Sequence, residues 1–229
     1  MILLQNVSNV ADSLVNATDA AGSEKISFLE MAQNGGWIMI VLAVLSVIAV
    51  YIFVDRFMAI KKASKNDQGF MANIKASIQQ GNVDSALTTC RATPGPLARM
   101  IEKGIMRIGR PLNDINAAVE NVGKQEIARL ERGLPILATI AGGAPMIGFL
   151  GTVMGMIKAF FDMANAGNNI DVQLLSSGIY TALVTTVGGL IVGIIAYFAY
   201  NIIVSRVGTL VSQLEARSTE FMDLLNEPA

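Results

Sequence analysis

Three long runs of uncharged, mostly apolar residues divide the sequence, at 31–54, 133–157 and 172–205. A helix needs roughly 20 apolar residues to cross the hydrocarbon core of a bilayer, so each run is long enough to cross. As a single helix the third run would extend for roughly 51 Å, so it should tilt or protrude beyond the bilayer. The pattern predicts an all-α membrane protein with three transmembrane helices.

The runs and the segments between them predict the following order along the chain. It comprises an outer-side (periplasmic) amphipathic segment (1–36), transmembrane helix 1 (37–57), a cytoplasmic helical domain (58–132), transmembrane helix 2 (133–162), a short periplasmic loop (163–172), transmembrane helix 3 (173–205) and a cytoplasmic helical tail (206–229). The first segment is assigned as amphipathic because its apolar residues recur at helical spacing.

The orientation follows from the basic residues. All but two of the 17 Lys and Arg residues lie at 56–132 or after residue 205; the exceptions are Lys25 and Lys158. Basic residues concentrate on the cytoplasmic side of membrane proteins. We therefore expect the N-terminus outside, in the periplasm, and the C-terminus in the cytoplasm.

The region before the second run predicts four helices, because pairs of Gly, Pro and Asn interrupt it at intervals. The last of these, from about residue 113, contains no proline and leads straight towards the second run. Pro135 should bend rather than end this helix. An apolar stripe at helical spacing also continues beyond Arg206, so we expect the second and third spans to have long cytoplasmic extensions.

Composition argues against most enzymatic chemistry. The chain of 229 residues contains no histidine and one cysteine, which excludes an imidazole or multi-thiolate metal site and a His-based catalytic triad. The sequence also lacks the G-K-[ST] motif of a phosphate-binding loop. We therefore expect no enzymatic activity, no catalytic residues, no metal and no cofactor.

Small residues recur four positions apart in the second and third runs. Membrane helices associate by close backbone approach, which small residues permit. The predicted helix-packing residues are Gly148, Gly151, Gly155, Gly189 and Gly193. Three spans have more small-residue surface than they can bury on themselves, which favours a homo-oligomer. The alternative is that the second and third spans pack against each other within one chain.

Four threonines lie beside these glycines and are the candidate pore-lining residues of a proton pathway: Thr152, Thr181, Thr185 and Thr186. Membrane threonines also commonly bond to the backbone of their own helix, which is the alternative. Proton and ion relays normally need an ionisable group inside the membrane, and none lies deep in these runs. The chain alone is therefore an incomplete ion pathway, and a partner must supply the charge.

Several short motifs carry a resemblance to a known family. They are Gly81-Asn82 with Ala86-Leu87, PGPLAR at 94–99, LPILA at 134–138, PMIGFLGTVMG at 145–155, and GIYTAL at 178–183 with Tyr200-Asn201. Together these motifs resemble the MotA/TolQ/ExbB proton-channel family. The resemblance covers about residues 37–204 and is closest to the ExbB branch, since MotA proteins have four spans.

The resemblance implies a multi-pass subunit of a motor in the bacterial inner membrane. Such a subunit forms a homo-pentamer around an ExbD-like one-span protein whose membrane aspartate carries the proton, and the complex drives a TonB-like protein for outer-membrane transport. No nucleic acid is implied. The family's polar positions match Thr152 and Thr186, whereas Thr181 stands where many relatives carry a glutamate. A TolQ-like or gliding-type motor subunit and a non-conducting membrane scaffold are the alternatives.

Overall fold

The computed structural model describes residues 36–64, 69–165 and 172–226. The predicted N-terminal amphipathic segment and most of the predicted periplasmic loop lie outside these residues. Every regular element within them is an α-helix: α1 (Gly36–Ala63), α2 (Phe70–Gln79), α3 (Val83–Ala92), α4 (Pro96–Ile105), α5 (Leu112–Glu131), α6 (Leu134–Asn165) and α7 (Val172–Asn226). The prediction of an all-α fold is confirmed.

Three stretches of the described chain are long and apolar enough to cross a membrane. They correspond to α1, to α5 together with α6, and to α7 from Leu175 onwards, in agreement with the three predicted spans. At 1.5 Å per residue, α7 is about 80 Å long. Because this exceeds the thickness of the hydrocarbon core, one end of α7 must project well beyond it.

The junction between α5 and α6 differs from the prediction. We expected the chain to run straight into the second span with a bend at Pro135, but α5 ends at Glu131 and α6 begins at Leu134. Gly133 has φ 90°, a conformation that favours glycine and ends the helix. Pro135 then falls in the first turn of α6, where its missing N–H costs no helical hydrogen bond.

The helices bury two apolar cores. In one, α1 packs along the paired helices α6 and α7, with Leu42, Leu137 and Ile203 almost fully buried. In the other, the short helices α2 to α5 pack against the far end of α7, around Ile101 and Phe221. Since α7 contributes to both cores, it connects the membrane-spanning part to the helical domain.

Candidate functional site: the contact between the second and third spans

Helices α6 and α7 approach each other so closely that several positions in their contact have no room for a Cβ atom. A Cβ atom added at Gly148 would lie 2.8 Å from the carbonyl oxygen of Thr185 and 3.1 Å from Cα of Gly189. One added at Gly155 would lie 2.9 Å from Cβ of Ala182. At both positions the missing side chain of the glycine lets the backbone of α6 contact α7 directly.

The glycines of α7 have the same role from the other side. A Cβ at Gly189 would lie 2.6 Å from the carbonyl oxygen of Ala144. At Gly193 it would meet Cγ of Pro145 at 2.5 Å. The ring of Pro145, which lies inside α6, therefore packs directly on the backbone of α7.

The sequence left open whether these small residues pack within one chain or between chains. The four glycines named above lie in the contact between α6 and α7 of a single chain, and so does Gly151, whose added Cβ would lie 2.7 Å from Cβ of Thr185. These five glycines are therefore already buried within one chain and are not surplus small-residue surface that would favour an oligomer. Homo-oligomer formation stays a prediction that needs other support.

Two of the predicted threonines meet across this contact. The hydroxyl of Thr152 on α6 is hydrogen-bonded to the hydroxyl of Thr186 on α7. Thr152 also donates to the carbonyl oxygen of Ala182 at 3.0 Å, and Thr186 lies 3.3 Å from the carbonyl oxygen of Gly148. Both side chains are half-buried. The pair is thus a polar link between the two helices and can still be reached from one side.

Thr185 is placed differently from its neighbour. Its side chain is 2% exposed, and its hydroxyl donates to the carbonyl oxygen of Ala182 at 2.7 Å, with the carbonyl oxygen of Gly148 at 3.3 Å. This bond to the third residue back is the ordinary backbone bond of a membrane threonine. In the single chain Thr185 therefore contributes to helix packing.

Thr181 lies one helical turn before Thr185 and is half-buried. Within the described part of the chain its hydroxyl makes no hydrogen bond, so it does not join the link between Thr152 and Thr186. The structure thus brings three of the four predicted threonines together and leaves the fourth a turn away. Whether any of the four lines a pore stays a prediction.

Two backbone carbonyls complete the site and were missed by sequence reasoning. The oxygens of Gly148 and Ala182 lie within hydrogen-bonding distance of the three threonine hydroxyls, and a backbone acceptor has no signature in a sequence. The packing of Ala159 against Gly178, where a Cβ would lie at 2.5 Å, was also missed. Extending the small-residue spacing four positions beyond Gly155 would have found Ala159.

The chemistry available at this site is hydrogen bonding without titration. A hydroxyl has one proton to donate and two lone pairs to accept with, but it does not ionise at physiological pH. Along the sequence, the charged residue nearest to the site is Lys158 on α6 and Arg206 on α7. The site can therefore orient a water molecule or a carboxyl group that enters from outside, but it cannot carry a proton by itself.

Fold and site together define a class: a three-span helical membrane protein with a charge-free, hydroxyl-bearing contact between two closely packed helices. Residues 92–216, more than half of the chain, match the model of the MotA/TolQ/ExbB proton channel family. The chain belongs to this family.

Individual relatives agree with the family assignment. A biopolymer transport protein ExbB homolog from Methanothermobacter thermautotrophicus is 29% identical over 188 residues, which cover 82% of this chain and 66% of that protein. The biopolymer transport protein ExbB of Neisseria meningitidis is 24% identical over 83% of this chain and 91% of its own length. The Tol-Pal system protein TolQ of Haemophilus influenzae is 36% identical over 105 residues, 46% of each chain. Coverage of these relatives thus ranges from under half to nearly complete.

Proposed function

We propose that this chain is a ring-forming subunit of a proton-driven motor in the inner membrane. In this proposal it encloses an ExbD-like one-span partner with a membrane aspartate and converts the proton motive force into work on a TonB-like protein. Membership of the proton channel family and similarity to proteins named ExbB support it. The proposed role involves no enzymatic step.

The hydroxyl pair between α6 and α7 is the observation that carries the proposal. Thr152 and Thr186 are half-buried within uncharged runs and keep lone pairs beyond the bonds they make to each other and to the backbone. A partner aspartate beside them can accept a hydrogen bond when charged and donate one when neutral. The pair, or a water that it holds, can thereby bias protonation of that aspartate as it moves.

A second candidate is a TolQ-like subunit that acts on the cell envelope instead of on transport. The similarity to Haemophilus influenzae TolQ favours it, because the identity there is higher than with the Neisseria meningitidis ExbB, although over a shorter segment. A gliding-type motor subunit has the same membrane chemistry. A non-conducting scaffold is the alternative from another class, and proton flux separates it from all of the motors.

The test reconstitutes the chain in liposomes with a one-span partner and measures proton uptake under an imposed potential. Thr152→Val and Thr186→Val keep the side-chain shape but remove the hydroxyl. An interhelical hydrogen bond in a membrane contributes about 1 kcal/mol, so we expect flux to fall about fivefold in each variant. Thr139→Val is the matched control, because Thr139 is on the same helix as Thr152 and is exposed. Among the described residues its hydroxyl bonds only to the carbonyl oxygen of Pro135, at 2.8 Å.

The outcomes distinguish the proposals. Equal proton flux from the wild type, Thr152→Val, Thr186→Val and the Thr139→Val control would refute a role for the hydroxyl pair. No flux from the wild type with any one-span aspartate partner would favour the scaffold. Native mass spectrometry of the same preparation tests the ring: we expect a pentamer, and a monomer at micromolar concentration would contradict ring formation.

A further inference from the structure

A basic cavity of about 340 Å³ lies where α1 leaves its apolar run. Residues of α1, of the turn before α4, of α4 itself and of α5 form its wall. Its polar lining consists of Arg56, Lys62, Arg99, Glu126 and Arg129. Four basic side chains thus face one carboxylate in a single cavity.

The carboxylate of Glu126 is shared by two arginines. Arg99 Nη2 lies 3.0 Å from one of its oxygens, and Arg129 Nη1 lies 2.8 Å from the other. Glu126 is 6% exposed, whereas both arginines are half or more exposed. A guanidinium has five N–H donors, so each arginine keeps donors beyond this single ion pair.

The other two basic residues are not neutralised by Glu126. Arg56 pairs with its neighbour Asp55 and donates through Nη1 to the carbonyl oxygen of Arg129 at 2.9 Å. Lys62 is exposed and forms no ion pair with any described residue. Positive charge therefore remains in excess even when Asp55 is counted with Glu126.

The excess positive charge suits an anion, and the position of the cavity relative to the spans indicates which kind of anion can reach it. Asp55 and Arg56 are the first charged residues after the uncharged run at 31–54, and Arg129 lies just before the uncharged run at 133–157. From the ends of these two runs we infer that the cavity lies at the depth of the lipid headgroups. Apolar Ala59, Ala63 and Leu130 complete the wall.

The start of α4 adds a further attraction for an anion. Gly95 and Pro96 line the cavity, and Gly95 caps α4 without any side-chain hydrogen bond. The first backbone N–H groups of a helix have no partner within it and carry partial positive charge. They supplement the basic side chains.

We propose that this cavity binds the phosphate of an anionic phospholipid, with Arg56, Lys62, Arg99 and Arg129 around the headgroup and the acyl chains along the apolar run of α1. Basic pockets between helices at this depth suit such headgroups. The lipid would hold α1 against the start of α4 and the end of α5. The site is independent of the hydroxyl pair and of the proposed motor function.

The test measures lipid retention by the full chain in detergent with native mass spectrometry, using phosphatidylglycerol and phosphatidylcholine as the probes. We expect preferential retention of phosphatidylglycerol. Lys62→Gln should weaken it about fivefold, the usual contribution of one basic residue near an anionic surface. Adding Arg129→Gln should weaken it further by a similar factor.

Lys61→Gln is the matched control. Lys61 is also exposed and lies at the same depth, but it lines a different cavity, together with Arg206. Lys61→Gln should leave the retention of phosphatidylglycerol unchanged. Equal weakening by Lys61→Gln and Lys62→Gln would show general surface attraction and overturn the site, as would equal retention of the two lipids.

A competition experiment separates a lipid from a soluble anion. Glycerol 1-phosphate carries the same phosphate chemistry without acyl chains, so we expect it not to displace phosphatidylglycerol at millimolar concentration. Displacement there would assign the cavity to a soluble phosphate and refute the lipid proposal. Because Lys62 is exposed, its replacement should leave the fold intact, which circular dichroism checks.

Discussion

A methyl group at Gly189 should force α6 and α7 apart. The added Cβ would lie 2.6 Å from the carbonyl oxygen of Ala144 and 2.8 Å from Cα of Gly148, whereas ordinary contact begins at 3.4 Å. Both obstacles are backbone atoms, so no side chain can rotate to make room. The helices must separate locally by about 0.6–0.8 Å, or α7 must turn.

The separation also breaks one hydrogen bond between the helices. Thr152 reaches the carbonyl oxygen of Ala182 at 3.0 Å, and a shift of this size carries these two atoms beyond hydrogen-bonding distance. Overpacking costs about 1–3 kcal/mol, and the lost bond about 1 kcal/mol more. The better helix propensity of alanine offsets about 1 kcal/mol. We expect a net loss of about 1–3 kcal/mol.

Thermal unfolding in detergent measures this loss. For a chain of this size 1 kcal/mol corresponds to about 2–4 °C, so Gly189→Ala should lower Tm by about 2–12 °C. Gly143→Ala is the matched control on α6, since a Cβ there meets nothing within 4 Å, and its Tm should stay equal or rise. An unchanged Tm for Gly189→Ala would refute the close contact within the chain. A larger fall for Gly143→Ala would place the critical small-residue contact between chains.

Two further predictions concern the helical domain. Phe221 is fully buried against Gly104, so Phe221→Ala should lower the free energy of unfolding by about 3–5 kcal/mol. Chemical denaturation measures this change. A loss below about 1 kcal/mol would contradict packing of the end of α7 against the helical domain. Burial, and secondarily the charge of Glu102, raises the pKa of Cys90 from 9.0 to about 12. The folded protein should therefore resist N-ethylmaleimide at pH 8 and react after denaturation, and rapid native labelling would refute this. Because the unfolded thiol loses its proton first, the stability of the wild type relative to Cys90→Ala should fall as the pH rises from 9.0 towards 12.

The sequence alone was sufficient for the three spans, and it singled out the threonines without showing what they contact. Each span is an uncharged run longer than a bilayer requires, and this signal depends on composition rather than on contacts. Thr152 and Thr186 stand out because they lie next to glycines in these runs and match the family's polar positions. Their meeting across two helices was not predicted, because the spacing alone was equally consistent with ordinary backbone bonds.

Tertiary structure decided which neighbour each residue has. Small residues four positions apart, such as those at Gly148 and Gly189, predict a close helix contact. They do not predict which helix makes it, since any second helix satisfies the spacing equally. Thr185 and Thr186 are adjacent in sequence, yet helix rotation buries one and leaves the other half-exposed. Arg56 reaches the carbonyl oxygen of Arg129 from 73 residues away, and no periodicity encodes such a pair. Local composition determines whether a segment spans the membrane, but which faces meet depends on the packing of all the helices together.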